Sequence, residues 1–297
     1  MLNFYNEFLD RYDISEEVKL YLRKSAEVLK ENHCESLSEL LCEYIGADHD
    51  INAIAEKKAS LSEASRIHAY TLSFILIVMA AEKARERYAD LGYGEELFFA
   101  SAEDIVYKLR ECTEVKGVPG IFAESWLKGI LDADIFKLGR FEYVARPYEG
   151  DTPYVKNGIT VNPGDTVITV HIPSCGPFPR ELREDSYKRA YEFYKKHFPE
   201  YLKGEILVFT CNSWLLYPKL KEILPPHLNM VDFLSDFDII GERIDPEYRN
   251  CWRLFGVEYD GNPDQLPTNT TARRCIAAYL GSGKNMGSGF GVRIFTP

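Results

Sequence analysis

The chain of 297 residues is 45% apolar and 13% aromatic, which is enough for packed cores and argues against global disorder. Single cores usually serve roughly 100–200 residues, so two domains are expected. A net charge of −11 and a pI near 5.2, with Lys and Arg scattered along the sequence, argue against nucleic acid as a partner. The longest apolar run, Phe74 to Ala81, is far short of the roughly 20 residues that span a bilayer. The acidic start, MLNFYNEFLDRYD, lacks the basic and apolar regions of a signal peptide, so a cytoplasmic protein with no membrane partner is expected.

Residues 1–130 read as helices. Ser15 is placed to cap a helix with Glu16 and Glu17 in its first turn and Val18, Tyr21, Leu22, Val28 and Leu29 on its apolar face. A second helix runs near Leu37 to Ile45 and stops at Gly46. The third is long, about Ser62 to Leu91, with Ile67, Tyr70, Phe74, Ile77 and Ala81 on one stripe and Gly92 as its stop. Its middle is apolar all round and belongs at the centre of a helical domain. Ser101-x-x-Asp104 has the form of a capping box for a helix to about Cys112, and Glu124 to Leu131 forms another helix. Paired carboxylates, metal-ligand spacing and glycine loops that carry chemistry are missing from this half.

After Asp132 the composition changes. IFKLGRFEYVAR (135–146), GITVNPGDTVITVHI (158–172), EILVFTC (205–211) and CWRLFGVEY (251–259) are rich in Val, Ile, Phe, Tyr and Thr and broken by Gly and Pro, which is strand composition. FGVRIF is a last strand, and helical patterns fall at about 184–197, 214–224, 230–235 and 268–280. This order predicts an α+β chain, with an all-helical domain over 1–130 and a second domain over 131–297. The second domain would hold a mixed sheet that begins antiparallel, continues through crossovers and carries helices on its faces.

Within that domain VITVHIPSCGPF (167–178) alternates like a half-buried strand and then stops at a run of prolines just before a helix, a common place for a site in α/β proteins. The seven cysteines, at 34, 42, 112, 175, 211, 251 and 275, are odd in number and nowhere form Cys-x-x-Cys. Neither a disulfide framework nor a structural zinc site fits, no metal is expected, and most read as small buried hydrophobes. GSGKNMGSGFG (281–291) follows a helix and lacks P-loop spacing. Gly281 reads as a helix C-cap, and the rest as a flexible turn into the last strand or as a mobile flap.

The element order and the segments FKLGRFEY (136–143), VHIP (170–173), SYKRAYEFYKKHFP (186–199), FTCNSWLLYPKLKEILP (209–225), NMVDFLSDFDI (229–239) and GSGKNMGSGFG (281–291) carry a resemblance. Residues 132–297 resemble the GNAT superfamily of acyl-coenzyme A dependent N-acyltransferases. More specifically, they resemble the GNAT-like C-terminal domain found behind an all-helical N-acyltransferase N-terminal domain in bacterial proteins; the first 130 residues fit that helical partner more loosely. The resemblance implies a fourth strand leaving at HIPSCGPF and a fifth leaving at CNSW (211–214), which splay apart. Acyl-CoA, with an acetyl or longer chain, would enter the gap as co-substrate. Main-chain amides at the start of the next helix would bind its pyrophosphate, as helix N-termini favour anions. Ile172, Ser174, Cys175, Gly176, Arg180, Arg183, Asn212 and Ser213 would then be cofactor-binding residues, although Ser174, Asn212 and Ser213 read equally as ordinary turn residues. The usual loop, Gln/Arg-x-x-Gly-x-Gly/Ala, has no match in PSCGPFPRELREDS (173–186), where only Gly176 is present and three prolines remove amide donors.

His171 reads either as a structural histidine or as a general base with a pKa near neutrality. Tyr217 falls close to where the family places a tyrosine that protonates the departing thiolate, or else it packs. Glu142 is a base acting through water or a solvated strand carboxylate. Cys175 and Cys211 fall at strand ends, where a helix N-terminus lowers a thiol pKa; paired with His171, either would give the nucleophile of a cysteine-dependent hydrolase. The expected function is acyl transfer from acyl-CoA to an amine, on a small molecule or a peptide. Strand-end amides would polarise the carbonyl, and the helical domain would shape the acceptor cleft. The rival is a non-catalytic domain of the same fold that binds a small metabolite or a protein partner, a reading motivated by the missing loop motif.

Overall fold

The apolar run around Phe74 forms the centre of the first half of the structure. The computed structural model describes residues 2–45 and 51–297, with side chains described from 54 onward in the second stretch. The residues fall into two units, one ending at Phe136 and the other beginning at Lys137. The helix stop expected at Gly46 lies outside the described residues.

The first unit contains α1 (Leu2–Arg11), α2 (Glu16–Asn32), α3 (Cys34–Ile45), α4 (Ile51–Ser65), α5 (Ala69–Asp90), α6 (Glu95–Lys116), a 3₁₀ turn (Glu124–Trp126) and α7 (Lys128–Leu131). Every residue of α5 from Thr71 to Ala81 is buried, and α1, α2, α3, α4 and α6 all pack against it. The single helix expected over Ser62 to Leu91 is instead two, meeting at 112°. Arg66 adopts a left-handed backbone (φ 58), and the His68 ring nitrogen accepts from the Tyr70 N–H to start α5. Ser15 caps α2 as expected, accepting from Val18 N–H at 3.4 Å. The buried stripe of α2, however, is Lys19, Leu22, Ser25, Ala26 and Leu29, while Tyr21 and Val28 are exposed at its margin. The capping box at Ser101 is corrected as well. α6 begins seven residues or so earlier, after Gly94, with Glu95 and Glu96 in its first turn; Ser101 and Asp104 lie buried inside it, Asp104 paired with Lys108 at 3.3 Å. Among the described residues no single helix is long and apolar enough to cross a membrane.

The remaining elements are β1 (Ile135–Leu138), β2 (Phe141–Pro147), β3 (Tyr154–Lys156), β4 (Ile159–Val161), β5 (Thr166–His171), α8 (Arg180–His197), β6 (Leu207–Ser213), α9 (Leu220–Ile223), α10 (Asn229–Phe233), β7 (Asp238–Asp245), α11 (Cys251–Phe255), α12 (Thr271–Gly281) and β8 (Met286–Phe295). Six strands form one sheet in the order β1-β2-β5-β6-β8-β7, and β3 and β4 make a separate hairpin. β5 and β6 are parallel, joined by the α8 crossover, and the pairs β2–β5, β6–β8 and β8–β7 are antiparallel. The fold is therefore the mixed sheet with flanking helices that the sequence predicts. On one face, Tyr187 and Tyr191 of α8 pack on Phe295, and Tyr187 also on Phe209. On the other, Tyr148, Tyr154 and Val161 cover Val167, Val208 and Val292. CWRLF is helix α11, ended by Gly256, and not a strand; the strands that the sequence reading missed are β7, at the sheet edge, and β3, in the separate hairpin.

The glycine-rich segment turns only at 282–285, after Ser282 caps α12, and the rest of it is strand, not a turn or a flap. α12 ends at Gly281, and from Met286 the chain is strand, with Gly287, Gly289 and Gly291 alternating on one face. A Cβ at Gly289 would lie 2.0 Å from the Leu216 carbonyl oxygen, and one at Gly291 would lie 2.7 Å from the Phe237 Cβ. The glycines let the turn after β6 lie directly on the strand backbone. Gly289→Ala is expected to destabilise the protein by about 2 kcal/mol or more. Gly281→Ala, whose nearest neighbour would be 4.0 Å away, should change stability by less than about 1 kcal/mol. Urea unfolding of the two variants checks this, and equal losses would contradict the close approach.

Candidate functional site

β5 and β6 pair only through Ile168↔Phe209 and Thr169↔Thr210, where the two threonine hydroxyls lie 3.2 Å apart. Beyond that point each strand follows its outer neighbour. Val170 and His171 stay opposite Tyr143 and Glu142 of β2, while Cys211, Asn212 and Ser213 stay opposite Gly291, Phe290 and Gly289 of β8. A gap opens between the two strand exits, and main-chain groups pointing into it lack a strand partner. Pro173, with no N–H, ends β5.

Arg140 holds the loop that leaves β5. This side chain is 8% exposed and donates from Nη1 to Pro173 O (3.1 Å), from Nη2 to Gly176 O (2.6 Å) and from Nε to Pro177 O (3.0 Å). Ser174 and Gly176 are exposed, and Ile172 and Cys175 are half-buried; the Cys175 N–H donates to Pro173 O at 2.9 Å. The sequence reading missed Arg140, since nothing in "LGR" announces a buried guanidinium.

The expectation that Arg183 meets a cofactor phosphate is corrected. Its side chain is fully enclosed, donating to both carboxylate oxygens of Asp236 (2.6 and 2.9 Å), to Asp232 (2.7 Å) and to Phe178 O (3.0 Å). Arg180 is exposed and pairs with Asp232 at 2.5 Å. The two guanidiniums hold the Asp232 carboxyl down to about 2. The spacing of Arg180 with Arg183 on one helix and of Asp232 with Asp236 on the next segment was the readable signal for this cluster.

By the alternation of side chains along strands, Glu142, His171 and Asn212 share the sheet face away from α8, while Cys211 projects towards α8. Glu142 is 2% exposed, so it is not a solvated strand carboxylate. Burial holds the His171 imidazole down to about 4, and the charges of Arg146 and Arg253 add to the effect. The ring is therefore neutral at pH 7, and the pKa near neutrality expected from the sequence is corrected. Cys211 is wholly buried and burial pushes its thiol up, which keeps it protonated. It also points to the opposite face from His171, so the two do not form a nucleophilic pair. Tyr217 is buried over Gly287; its hydroxyl bonds Tyr279, and burial, followed by that contact, raises its pKa. Asn212 is exposed, and the Ser213 hydroxyl accepts from Leu215 N–H at 3.2 Å. Of the other cysteines, Cys112 and Cys251 are buried as expected, but Cys34 and Cys42 are exposed.

Asn212 also lines a cleft of about 480 Å³ with Tyr148, Tyr154, Gly241, Arg243 and Phe290. A second cleft of about 240 Å³, containing Trp214, Tyr248 and Asn250, shares Arg243 and Ser288 with it. β7 and the 148–154 segment build the first cleft, and neither stood out in the sequence.

Residues 135–293 match the family described as a GNAT-like C-terminal domain, and residues 3–133 match the N-acyltransferase N-terminal domain. The chain belongs to this family of acyltransferases with a helical N-terminal part. Similar solved structures include an acyltransferase in complex with decanoyl-CoA and teicoplanin (18% identity over 95% of this chain and 96% of that one, TM-score 0.65). Another is in complex with CoA and 10C-teicoplanin (18%, 94% and 88%, 0.65), and a mutant acyltransferase is in complex with octanoyl-CoA (17%, 97% and 98%, 0.64). These likenesses establish the shared fold. No curated protein matches the chain.

The His171 environment predicts a pH effect on stability. A folded-state pKa of about 4 lies below the ordinary value of 6.5, so the contribution is full above 6.5 and is lost as pH falls towards 4. Relative to His171→Gln, the native protein should lose on the order of 2–3 kcal/mol between pH 7 and pH 4. Urea midpoints across that range check this; a difference that stays constant would contradict a half-buried imidazole held neutral.

Proposed function

We propose that this family member is an acyl-CoA-dependent N-acyltransferase that moves an acyl group to an amine on a small-molecule or peptide acceptor, with the thioester lying in the gap between β5 and β6. The observation that carries the reading is the two-residue pairing of β5 with β6. The main-chain groups left open beyond it suit the two amides of a pantetheine arm, which can lie there as an added strand. The decanoyl- and octanoyl-CoA bound by the similar acyltransferases make medium acyl chains the first choice of donor, and their teicoplanin makes a small-molecule acceptor the first choice of amine.

The donor supplies an activated carbonyl with a good leaving group. Asn212, exposed at the lip of the gap, presents its side-chain amide on the cleft side, where it can donate to a carbonyl oxygen. His171 is neutral, so its role is to accept a hydrogen bond from the incoming amine and orient it, since a base with a pKa of about 4 draws little proton from an ammonium. Glu142, opposite His171 across the strand pair, takes the amine proton through a water. The new C–N bond forms as the C–S bond breaks, and the proton taken up by Glu142 returns through water to the departing thiolate, while Tyr217, buried over Gly287 on the α8 face with its hydroxyl on Tyr279, takes no part. Cys211 packs the α8 face and takes no part. The cleft beyond Asn212 is the approach for the acceptor.

Decanoyl-CoA at ~100 times its dissociation constant should stabilise the protein by about 2.7 kcal/mol, and free CoA should appear when an accepted amine is added. Glu142→Gln should lower kcat about 100-fold or more while leaving the decanoyl-CoA affinity unchanged. No thermal shift with any acyl-CoA would favour the non-catalytic binding domain instead.

A further inference from the structure

The loop after β5 lacks the family's glycine-rich pattern and carries three prolines, yet two buried arginines hold it from the inside. Arg140 takes the carbonyls of Pro173, Gly176 and Pro177, and Arg183 takes that of Phe178. In a trans peptide the C=O and the following N–H point in opposite directions, and the chain contains no cis peptide among the described residues. Fixing the Pro177 carbonyl inward therefore turns the Phe178 N–H outward, and this N–H has no main-chain hydrogen-bond partner among the described residues. The Phe178 ring packs on the Arg140 guanidinium, 5.5 Å from its centroid, which holds the same peptide from a second side. Gly176 sits at φ +97 with open space around it, so its conformation serves the orientation of its carbonyl and not a close approach.

We propose that Arg140 is a positioning residue for the phosphate-bearing end of acyl-CoA: by holding the Pro177 carbonyl inward it presents the Phe178 N–H to an anion on the outer side of the loop. The inference rests on the acyl-transfer reading and explains how the loop serves without the usual motif. A glycine-rich loop frees its amides by its own flexibility; here prolines remove some donors, and a buried guanidinium, whose planar fork can satisfy several carbonyls at once, sets the direction of those that remain. Arg183 is thereby assigned to the loop's support and not to the ligand.

The test compares binding of decanoyl-CoA with decanoyl-pantetheine, which lacks the phosphates, by calorimetry. The native protein should prefer decanoyl-CoA. Arg140→Met should weaken decanoyl-CoA at least about tenfold while decanoyl-pantetheine stays within about twofold, because preorganisation of the anion contacts is lost and the gap is intact. Gly176→Ala, which strains a left-handed position on the exposed loop, should show the same selective loss and carries the test if Arg140→Met does not fold. Arg140→Lys keeps the charge but cannot span three carbonyls, and should resemble the Met variant. Equal loss of both ligands, or loss of neither, would overturn the role of Arg140 and leave acyl transfer standing. A native protein that binds neither ligand would overturn the acyl-transfer reading itself, and this inference with it.

Discussion

Two parallel strands that stop pairing after two residues set the terms for the rest of the C-terminal unit. β5 stays with β2 and β6 stays with β8, so the backbone between them is opened inside a sheet that is otherwise continuous. An opening of this kind costs unsatisfied main-chain groups unless water or a ligand meets them. It persists because each strand keeps a full set of bonds on its outer side. Everything nearby supports that arrangement: Pro173 ends one lip, and Ser213 caps the turn that ends the other.

The two lips are braced in different ways. On the β6 side the bracing is steric, since the turn Trp214–Leu216 rests on the bare backbone of β8 at Gly289. On the β5 side it is electrostatic. The buried Arg183–Asp236 pair has only 0% and 2% of its side chains exposed, and removing one partner of such a pair costs about 3–5 kcal/mol. That cost fixes the start of α8 relative to the segment before β7. Arg140 then fixes the intervening loop. Charge that the sequence suggested was for a ligand is used largely to hold the scaffold, and the surface offered to a ligand is mostly backbone.

Much of this was legible beforehand, for identifiable reasons. The all-round apolar stretch of α5, the alternation in β5 and β6 and the change of texture after Asp132 reflect burial, which composition reports directly. Elements whose residues are not buried in a pattern were read wrongly. β7 is an edge strand exposed from Ile240 to Ile244, so it shows no apolar alternation, and CWRLF has strand-like residues that a short capped helix uses for packing. The glycines of β8 looked like a turn because backbone approach and turn flexibility select the same residue. His171, Asn212 and Glu142 were found because they sit at strand ends in recognisable segments. The pKa of His171 depends on its burial and then on Arg146 and Arg253, and the role of Arg183 on Asp232 and Asp236. Those partners are set by tertiary contacts that single-residue reasoning does not reach.

The central claim is that the gap between β5 and β6 is where the acyl-CoA arm lies. Amide hydrogen exchange with and without decanoyl-CoA tests it most directly. The account predicts new protection at Val170–Ile172 and Cys211–Ser213, with little change at Ile168, Thr169, Phe209 and Thr210, which already pair. Protection confined to other strands, with these lips unchanged in the presence of bound decanoyl-CoA, would contradict it.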